Sequence, residues 1–410
     1  MWQELDRPVP RPPDRDIEIT DVRTMAVRGN PRADADNYAW GLVKLETDTH
    51  HHGVGETFRG IAPLDVVDRM ADTVIGENPL SPERIAERLQ RAHYTATGGI
   101  GRAAIAGIEM ACWDLKGKVL DVPLYELLGG PFRSAVQLYS DAEALAGEAE
   151  GIDFEAEYTP DAYAAAAREV VDEGFQALKF DLDVPTPDVD PEDRAARRLD
   201  GPGIDHKVAL VEAVREAVGD DVDLGMDLHW SYTVETANRL GRRLEPYDLA
   251  FLEDPVHHEK LDAQARVKTT LDVPILTGEN ITDVSGFLDA LQADVLDIAA
   301  PDVAMAGGLA ALRRIAAVCD AYGVPLAPHN LGSPVATIAG AHLGAAIQNF
   351  YALEFRGGDA PWWAALVEKT HGDGPLIEGG KIDVPEGPGL GIEITPEAAE
   401  YVLEESAFVF

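Results

Sequence analysis

Three carboxylates stand at equal intervals in this chain: Asp227 in GMDLHW, Glu253 in FLEDP and Glu279 in TGEN, each 26 residues from the next. Every one of them closes a short apolar run, so the interval is that of one strand plus one helix. If such units close into a parallel barrel, residues at equivalent strand ends converge on its C-terminal face, and three anionic oxygens meet at one point. A single strand-end acid more often caps the next helix or forms a salt bridge. Three at one interval call for a cation. Hard oxygen donors with no thiolate favour Mg2+, with Mn2+ as the alternative, completed by water and substrate oxygens.

The series continues with Asp302 in APD, His329 in APHN and Glu354 in YALEF, at intervals of 23, 27 and 25 residues. A histidine at a strand end beside an aspartate from the adjacent strand has its tautomer fixed and its basicity raised, as a general base requires. Without that partner and the acidic cluster, His329 would be read as structural. Lys179 in ALKFD ends an earlier run; it is either a buried salt-bridge lysine or a contact to a substrate carboxylate or its α-proton. His229 follows Asp227 by two residues, and the strand period of two puts both on one face if the strand persists. It is an acid catalyst or a hydrogen-bonded residue behind the metal.

The elements that must position these groups are legible as eight apolar runs: AVQLYSD, ALKFD, VDLGMDLH, LAFLEDP, PILTGEN, VLDIAAPD, PLAPHN and YALEF. Amphipathic segments such as HKVALVEAVREAVG and GLAALRRIAAVCDAYG lie between them, which is the pattern of a (β/α)8-type, TIM-like α/β barrel. A doubly wound open sheet is the rival; no GxGxxG follows the first run, and polar residues end every run in the series. Residues 181–203, rich in Pro and Asp, form either a loop over the barrel mouth or a solvated linker.

Ahead of the barrel, residues 17–60 are β-rich and read as a meander turning through HHHGVG, whereas 64–128 have helical periodicity. Gly129, Gly130 and Pro131 mark the boundary. The final IEGGKIDVPEGPGLGIEI has turn signals and β character. The expected organisation is an α+β capping domain over 1–130, the barrel over 131–370, and a C-terminal segment, 371–410, that returns to complete the capping domain.

Composition removes several function classes. With 73 acidic against 34 basic residues the net charge is -39, so phosphate contacts to nucleic acid are excluded. No apolar run reaches the ~18 residues that span a bilayer, and the charged, Pro-rich beginning is unlike a signal peptide, so a cytoplasmic protein is expected. Cys112 and Cys319 lie in apolar helical segments with no CxxC spacing and are read as buried thiols. Acidic residues spread along the whole chain, with Lys scarce beside Arg, resemble the proteomes of salt-accumulating archaea. In molar salt the Debye length is only ~3 Å, so this surface would not repel an anionic substrate at long range.

With these residues in view, the chain resembles the mandelate racemase branch of the enolase superfamily over nearly its full length, from LVKLETDTHHHGVGETF through WDLKGKVLDVPLYELLGG to the barrel. Such sites use a Lys or His base with Mg2+. The resemblance implies Asp227, Glu253 and Glu279 as metal ligands, Asp302 and His329 as the base dyad, and Glu354 as the acid that hydrogen-bonds the enediolate or substrate. The DLH motif is similar to the DxH of galactonate and mannonate dehydratases, which implies that His229 helps a 3-hydroxyl leave. One departure stands out: the Lys-x-Lys pair of racemases is here Lys179, Phe180, Asp181, so the base for the opposite face is missing.

The activity implied is dehydration of a sugar acid, such as gluconate, galactonate, xylonate or arabinonate, to a 2-keto-3-deoxy acid. A racemase or epimerase on the same scaffold, or a non-catalytic sugar-acid-binding barrel, is the alternative. The resemblance further implies a homo-oligomer, a dimer or octamer. It also implies that loops near residues 28–37 and 51–60 select the substrate. His50, His51 and His52 look like a metal tract but are placed in a hairpin turn.

Overall fold

The computed structural model describes residues 15–29, 38–96, 98–142, 158–186, 198–356 and 360–403. β1 (Ile19–Arg28), β2 (Ala39–Thr47) and β3 (His52–Thr57) form an antiparallel sheet in that order. The turn is therefore shorter than HHHGVG implied, because His52 and the two glycines belong to β3. Gly53 and Gly55 serve close approach rather than a bend: a Cβ on Gly53 would lie 2.2 Å from the carbonyl oxygen of Ala111, and one on Gly55 2.1 Å from that of Gly107. Both carbonyls belong to the helix Gly99–Leu120, which packs directly on the strand. Glycine inside a strand commonly marks such an approach. Ile19, Val43, Leu45, Val67, Met70, Ile85, Leu89, Ile108 and Leu115 fill the space between this sheet and its helices.

The second module is the closed α/β barrel. β4 (Ala135–Asp141), β5 (Ala177–Asp181), β6 (Asp223–Asp227), β7 (Phe251–Glu253), β8 (Ile275–Thr277) and β9 (Ile298–Ala299) pair in sequence order, all parallel. β10 (Leu353–Phe355) pairs with β4 and closes the ring. The run PLAPHN, expected as a full strand, is reduced to bridges from Leu326 to Ala299 and to Phe350. Pro325 and Pro328 flank Leu326, and neither has an N–H to give to a ladder. Inside the ring, Tyr139, Phe251, Leu276 and Ile298 interlock with Ala177, Ala300, Ala327 and Ala352, so the barrel is a packed core.

Side-chain oxygens start many of the outer helices. Thr159, Asp200, Thr233 and Asp283 accept from the backbone N–H three residues on, each cap being worth about 1 kcal/mol. The Asp200 cap also revises the expected loop: Asp181 ends β5, and residues 201–203 are the first turn of the helix Gly201–Val218. The middle of that insertion, 187–197, lies outside the described residues, as does 30–37 of the expected selecting loops.

Two barrel helices are capped by the other module. Glu109, in the helix Gly99–Leu120, accepts from the N–H groups of Leu309 (2.9 Å) and Ala310 (3.0 Å) at the start of the helix Leu309–Ala321, which has no side-chain cap of its own. Gly308, at φ 98°, makes room, since a Cβ there would sit 2.2 Å from Glu109 Oε2. Glu56 of β3 accepts from Ser333 N (2.8 Å), Ser333 Oγ (2.6 Å) and Ala336 N (2.8 Å) at the start of the helix Pro334–Ala346. Burial pushes both carboxyls up to about 7 against these hydrogen bonds.

The chain after the barrel touches both modules. β11 (Val367–Lys369) pairs with β14 (Ile392–Ile394), while β13 (Lys381–Asp383) pairs antiparallel with β4 and β12 (Ile377–Glu378) pairs antiparallel with β13, extending the barrel sheet. Val402 bridges Val27 of β1, and Asp114 accepts from Val54 N and Leu390 N. Glu393 of β14 holds His52 at 2.8 Å and Lys118 at 2.7 Å, so His52 is tied into structure. Among the described residues no helix is long and apolar enough to cross a membrane. Both cysteines are buried and free.

Candidate active site

Asp227 and Glu253 are register partners at the ends of β6 and β7, so the pleat sends both side chains to one face. Glu279 is not at the equivalent position: Glu253 lies opposite Leu276, and Glu279 follows β8 beyond Gly278, whose φ of 138° turns the chain. The equal spacing in sequence is thus not equal register, yet the three carboxylates still converge. One oxygen of each lies within 4.8 Å of the others. Asp227 and Glu253 are buried, and Glu253 Oε1 has no hydrogen-bond partner. Burial, then the charge of Asp227, pushes the Glu253 carboxyl well above its usual range. A buried, unpartnered carboxylate oxygen facing two more carboxylates is what a hard divalent cation would satisfy.

Lys179 places an ammonium beneath them. Its Nζ lies 2.6 Å from Glu354 Oε1, 2.8 Å from Glu253 Oε2 and 3.1 Å from Asp227 Oδ2. Salt bridging is therefore its structural role, with one ammonium among four acidic side chains when Glu279 is counted. Glu354, in β10, directs its other oxygen to the N–H of Asn330 at 3.0 Å.

His329 adjoins Glu279. Its Nδ1 donates to Asp302 Oδ2 at 2.6 Å, and its Nε2 lies 3.4 Å from Glu279 Oε2. Asp302 is itself held by the N–H groups of Ala304 (2.7 Å) and Met305 (3.1 Å). The loop after His329 is clamped by Trp40 Nε1 on Leu331 O, Trp363 Nε1 on Gly332 O and Glu56 on Ser333, and the Phe58 ring stands 6.0 Å from the imidazole. Burial alone would lower the imidazole pKa, but Glu354, Glu279 and Asp302 outweigh it and push it up to about 9.

His229 adjoins Asp227, but not through strand alternation, because β6 ends at Asp227. His229 and Trp230 adopt φ of 37° and 47°, a left-handed turn held by Trp230 N on Asp254 O and Ser231 N on Leu228 O. The turn brings His229 Nε2 to 3.6 Å from Asp227 Oδ2 and its Nδ1 to 3.1 Å from Asp183 Oδ1. Burial opposes its charge, but Asp227, Asp183 and Asp181 outweigh it and push this histidine up to about 12.

The structure thus brings all eight candidate residues around one mouth. It also adds Asp183, which sequence reasoning passed over inside a Pro- and Asp-rich stretch; the alternation Asp181, Leu182, Asp183 was the available signal. Asp181, Asp183 and His229 make a second compact group of donors. That group is more open, and Asp183 already holds the imidazole, so the buried triad is the stronger cation site. An acid and a base on either end of a cation site can move one proton off carbon and another onto a leaving oxygen.

Comparison with known proteins places this arrangement among relatives. Residues 33–129 match the family model for the mandelate racemase / muconate lactonizing enzyme N-terminal domain, and residues 162–398 match that for the enolase C-terminal domain-like fold. The chain is 41% identical over 411 residues to a D-xylonate dehydratase of Haloferax volcanii, covering 100% of this chain and 94% of that one. It is 33% identical over 360 residues to a D-galactonate dehydratase of Ralstonia nicotianae, covering 87% and 88%. The structure is similar to that of a mandelate racemase/muconate lactonizing enzyme-like protein from Rubrobacter xylanophilus, with a TM-score of 0.86 and 36% identity over 95% and 98% of the two chains.

Proposed function

Because this chain belongs to the mandelate racemase / muconate lactonizing enzyme family of the enolase superfamily, we propose that it is a Mg2+-dependent hydro-lyase that converts a sugar acid to a 2-keto-3-deoxy acid. The substrate class is an aldonate of the xylonate, gluconate or galactonate type, the acids that its relatives' names carry. One observation carries the choice of dehydration over racemisation: the second histidine is aimed at the triad, and Asp181 stands at the position where a racemase has its second lysine base.

Asp227, Glu253 and Glu279 would hold the ion. When bound, Mg2+ supplies positive charge to the substrate carboxylate, which acidifies the adjacent C–H. His329 Nε2 takes the C2 proton, with Asp302 keeping the other nitrogen protonated. Lys179 and Glu354 form the charged floor beneath the reacting carbons. With the triad holding an ion, the upward pull of Glu279 on His329 would be reduced, as would that of Asp227 on His229, and Asp183 and Asp181 are the carboxylates left to keep His229 charged. His229, whose charged form is favoured by the carboxylates of Asp183 and Asp181, gives its proton to the departing 3-hydroxyl. Water leaves, and the enol that remains gains a proton at C3 and becomes the ketone. Proton transfer of this kind contributes about 10²- to 10⁴-fold.

Incubating the protein and MgCl2 with a library of aldonates, and assaying 2-keto acid, tests this reading. D-Xylonate, D-gluconate or D-galactonate is expected to give product. Exchange of the C2 proton in heavy water with no keto acid from any of them would establish the epimerase alternative instead.

A further inference from the structure

We propose that Asp183 is a positioning residue for His229, the counterpart on this flank of Asp302 behind His329. The proposal rests on the reading of His229 as the acid that releases the 3-hydroxyl. Two successive residues in the left-handed region, His229 and Trp230, carry the imidazole away from the strand, a conformation that L-residues adopt only when their surroundings hold them there. Asp183 is the side chain that meets the ring. Its Oδ1 accepts from Nδ1 at 3.1 Å, and its Oδ2 accepts from Ser231 Oγ at 3.1 Å, within the same turn. Asp181, at 3.9 Å from Nδ1, is too far to do this.

Asp183 is itself immobilised from behind. Leu182 N donates to Asp227 O at 2.7 Å, Tyr232 OH donates to Leu182 O at 2.9 Å, and the buried Lys207 ammonium donates to the carbonyl of Val184. With Nδ1–H spent on Asp183, Nε2 is the nitrogen left facing Asp227 and the substrate. Loss of the carboxylate frees the ring to rotate, which withdraws the Nε2 proton from the leaving oxygen without touching His329.

The test compares Asp183→Asn and Asp183→Glu with the wild-type protein on D-xylonate and on 3-deoxy-3-fluoro-D-xylonate, with MgCl2. Three rates are read: keto-acid formation, C2 proton exchange in D2O, and fluoride release, which needs no proton donor. Asp183→Asn is expected to lower keto-acid formation about 100-fold, the low end for a positioned acid, while C2 exchange and fluoride release stay within a few-fold. Asp183→Glu should restore part of the loss. Wild-type dehydration by Asp183→Asn, or a parallel fall in all three rates, would overturn the positioning role. Full dehydration by a His229→Asn variant, or no keto acid from the wild-type protein, would instead overturn the reading beneath it.

Discussion

Nε2 of His229 lies 3.6 Å from Asp227 and Nε2 of His329 lies 3.4 Å from Glu279, so the two imidazoles present the same atom to opposite ends of one row of carboxylates. Each has an aspartate on its Nδ1, and no other pair of histidines among the described residues shares this arrangement. Both are pushed up by the carboxylates around them, His229 to about 12 and His329 to about 9.

Substituting His329 by Asn should abolish both keto-acid formation and C2 exchange, by at least about 10²-fold, while Mg2+ binding measured by calorimetry persists. Retention of C2 exchange would remove His329 from the role of base.

Mg2+ at 100 times its Kd should raise the stability of the wild-type protein by about 2.7 kcal/mol. Glu253→Gln, which neutralises the carboxyl carrying the unpartnered oxygen, should erase that increment and the activity together. An undiminished thermal shift with Mg2+ would place the ion elsewhere, and chelation with EDTA should reversibly stop turnover.

The two interface carboxyls make stability depend on pH. Glu56 and Glu109 are pushed from 4.5 up to about 7 in the folded state, so the native chain holds these protons more tightly than the unfolded chain does. Their contribution is complete below about pH 4.5 and is lost as pH rises through about 7, at most about 3 kcal/mol each. The urea midpoint of the wild-type protein should therefore fall, relative to that of Glu109→Gln, between pH 5 and pH 8. A constant difference would show that Glu109 is ionised throughout.

Gly55→Ala should destabilise the capping sheet by about 3 kcal/mol, because the added methyl meets the Gly107 carbonyl of the packed helix. Unchanged thermal unfolding would mean that the helix can shift aside.

A net charge of -39 repels itself at low ionic strength. Raising KCl from 0.1 to 2 M should raise the unfolding temperature substantially, as screening shortens to a few ångströms. A flat response would remove salt adaptation as the reason for this composition.

The barrel and its acidic triad were legible because a strand–helix unit has a narrow length range, which the 26-residue intervals of Asp227, Glu253 and Glu279 display. Fine register was not: a single positive-φ glycine, Gly278, decides where Glu279 points. Gly53 and Gly55 read as a turn because close approach of a distant helix leaves no local signal. Likewise, the turn at His229 replaces the strand alternation that the DLH motif implied, and it is this turn that gives Asp183 its purpose. Partners such as Asp183 and Glu109 are brought to their targets by chain folding from 46 and 200 residues away.

Glu56 and Glu109 also bear on how such proteins can be recombined. Because each completes the first turn of a barrel helix, a barrel expressed alone would begin the helix Leu309–Ala321 with bare amides and leave Ala336 N unpaired in the helix directly after the base-bearing loop. A chimera that takes its first 130 residues from a relative would have to inherit both acids, together with Gly308 and Ser333 that receive them. Exchange of specificity by swapping whole modules is thus constrained at four positions that join the modules.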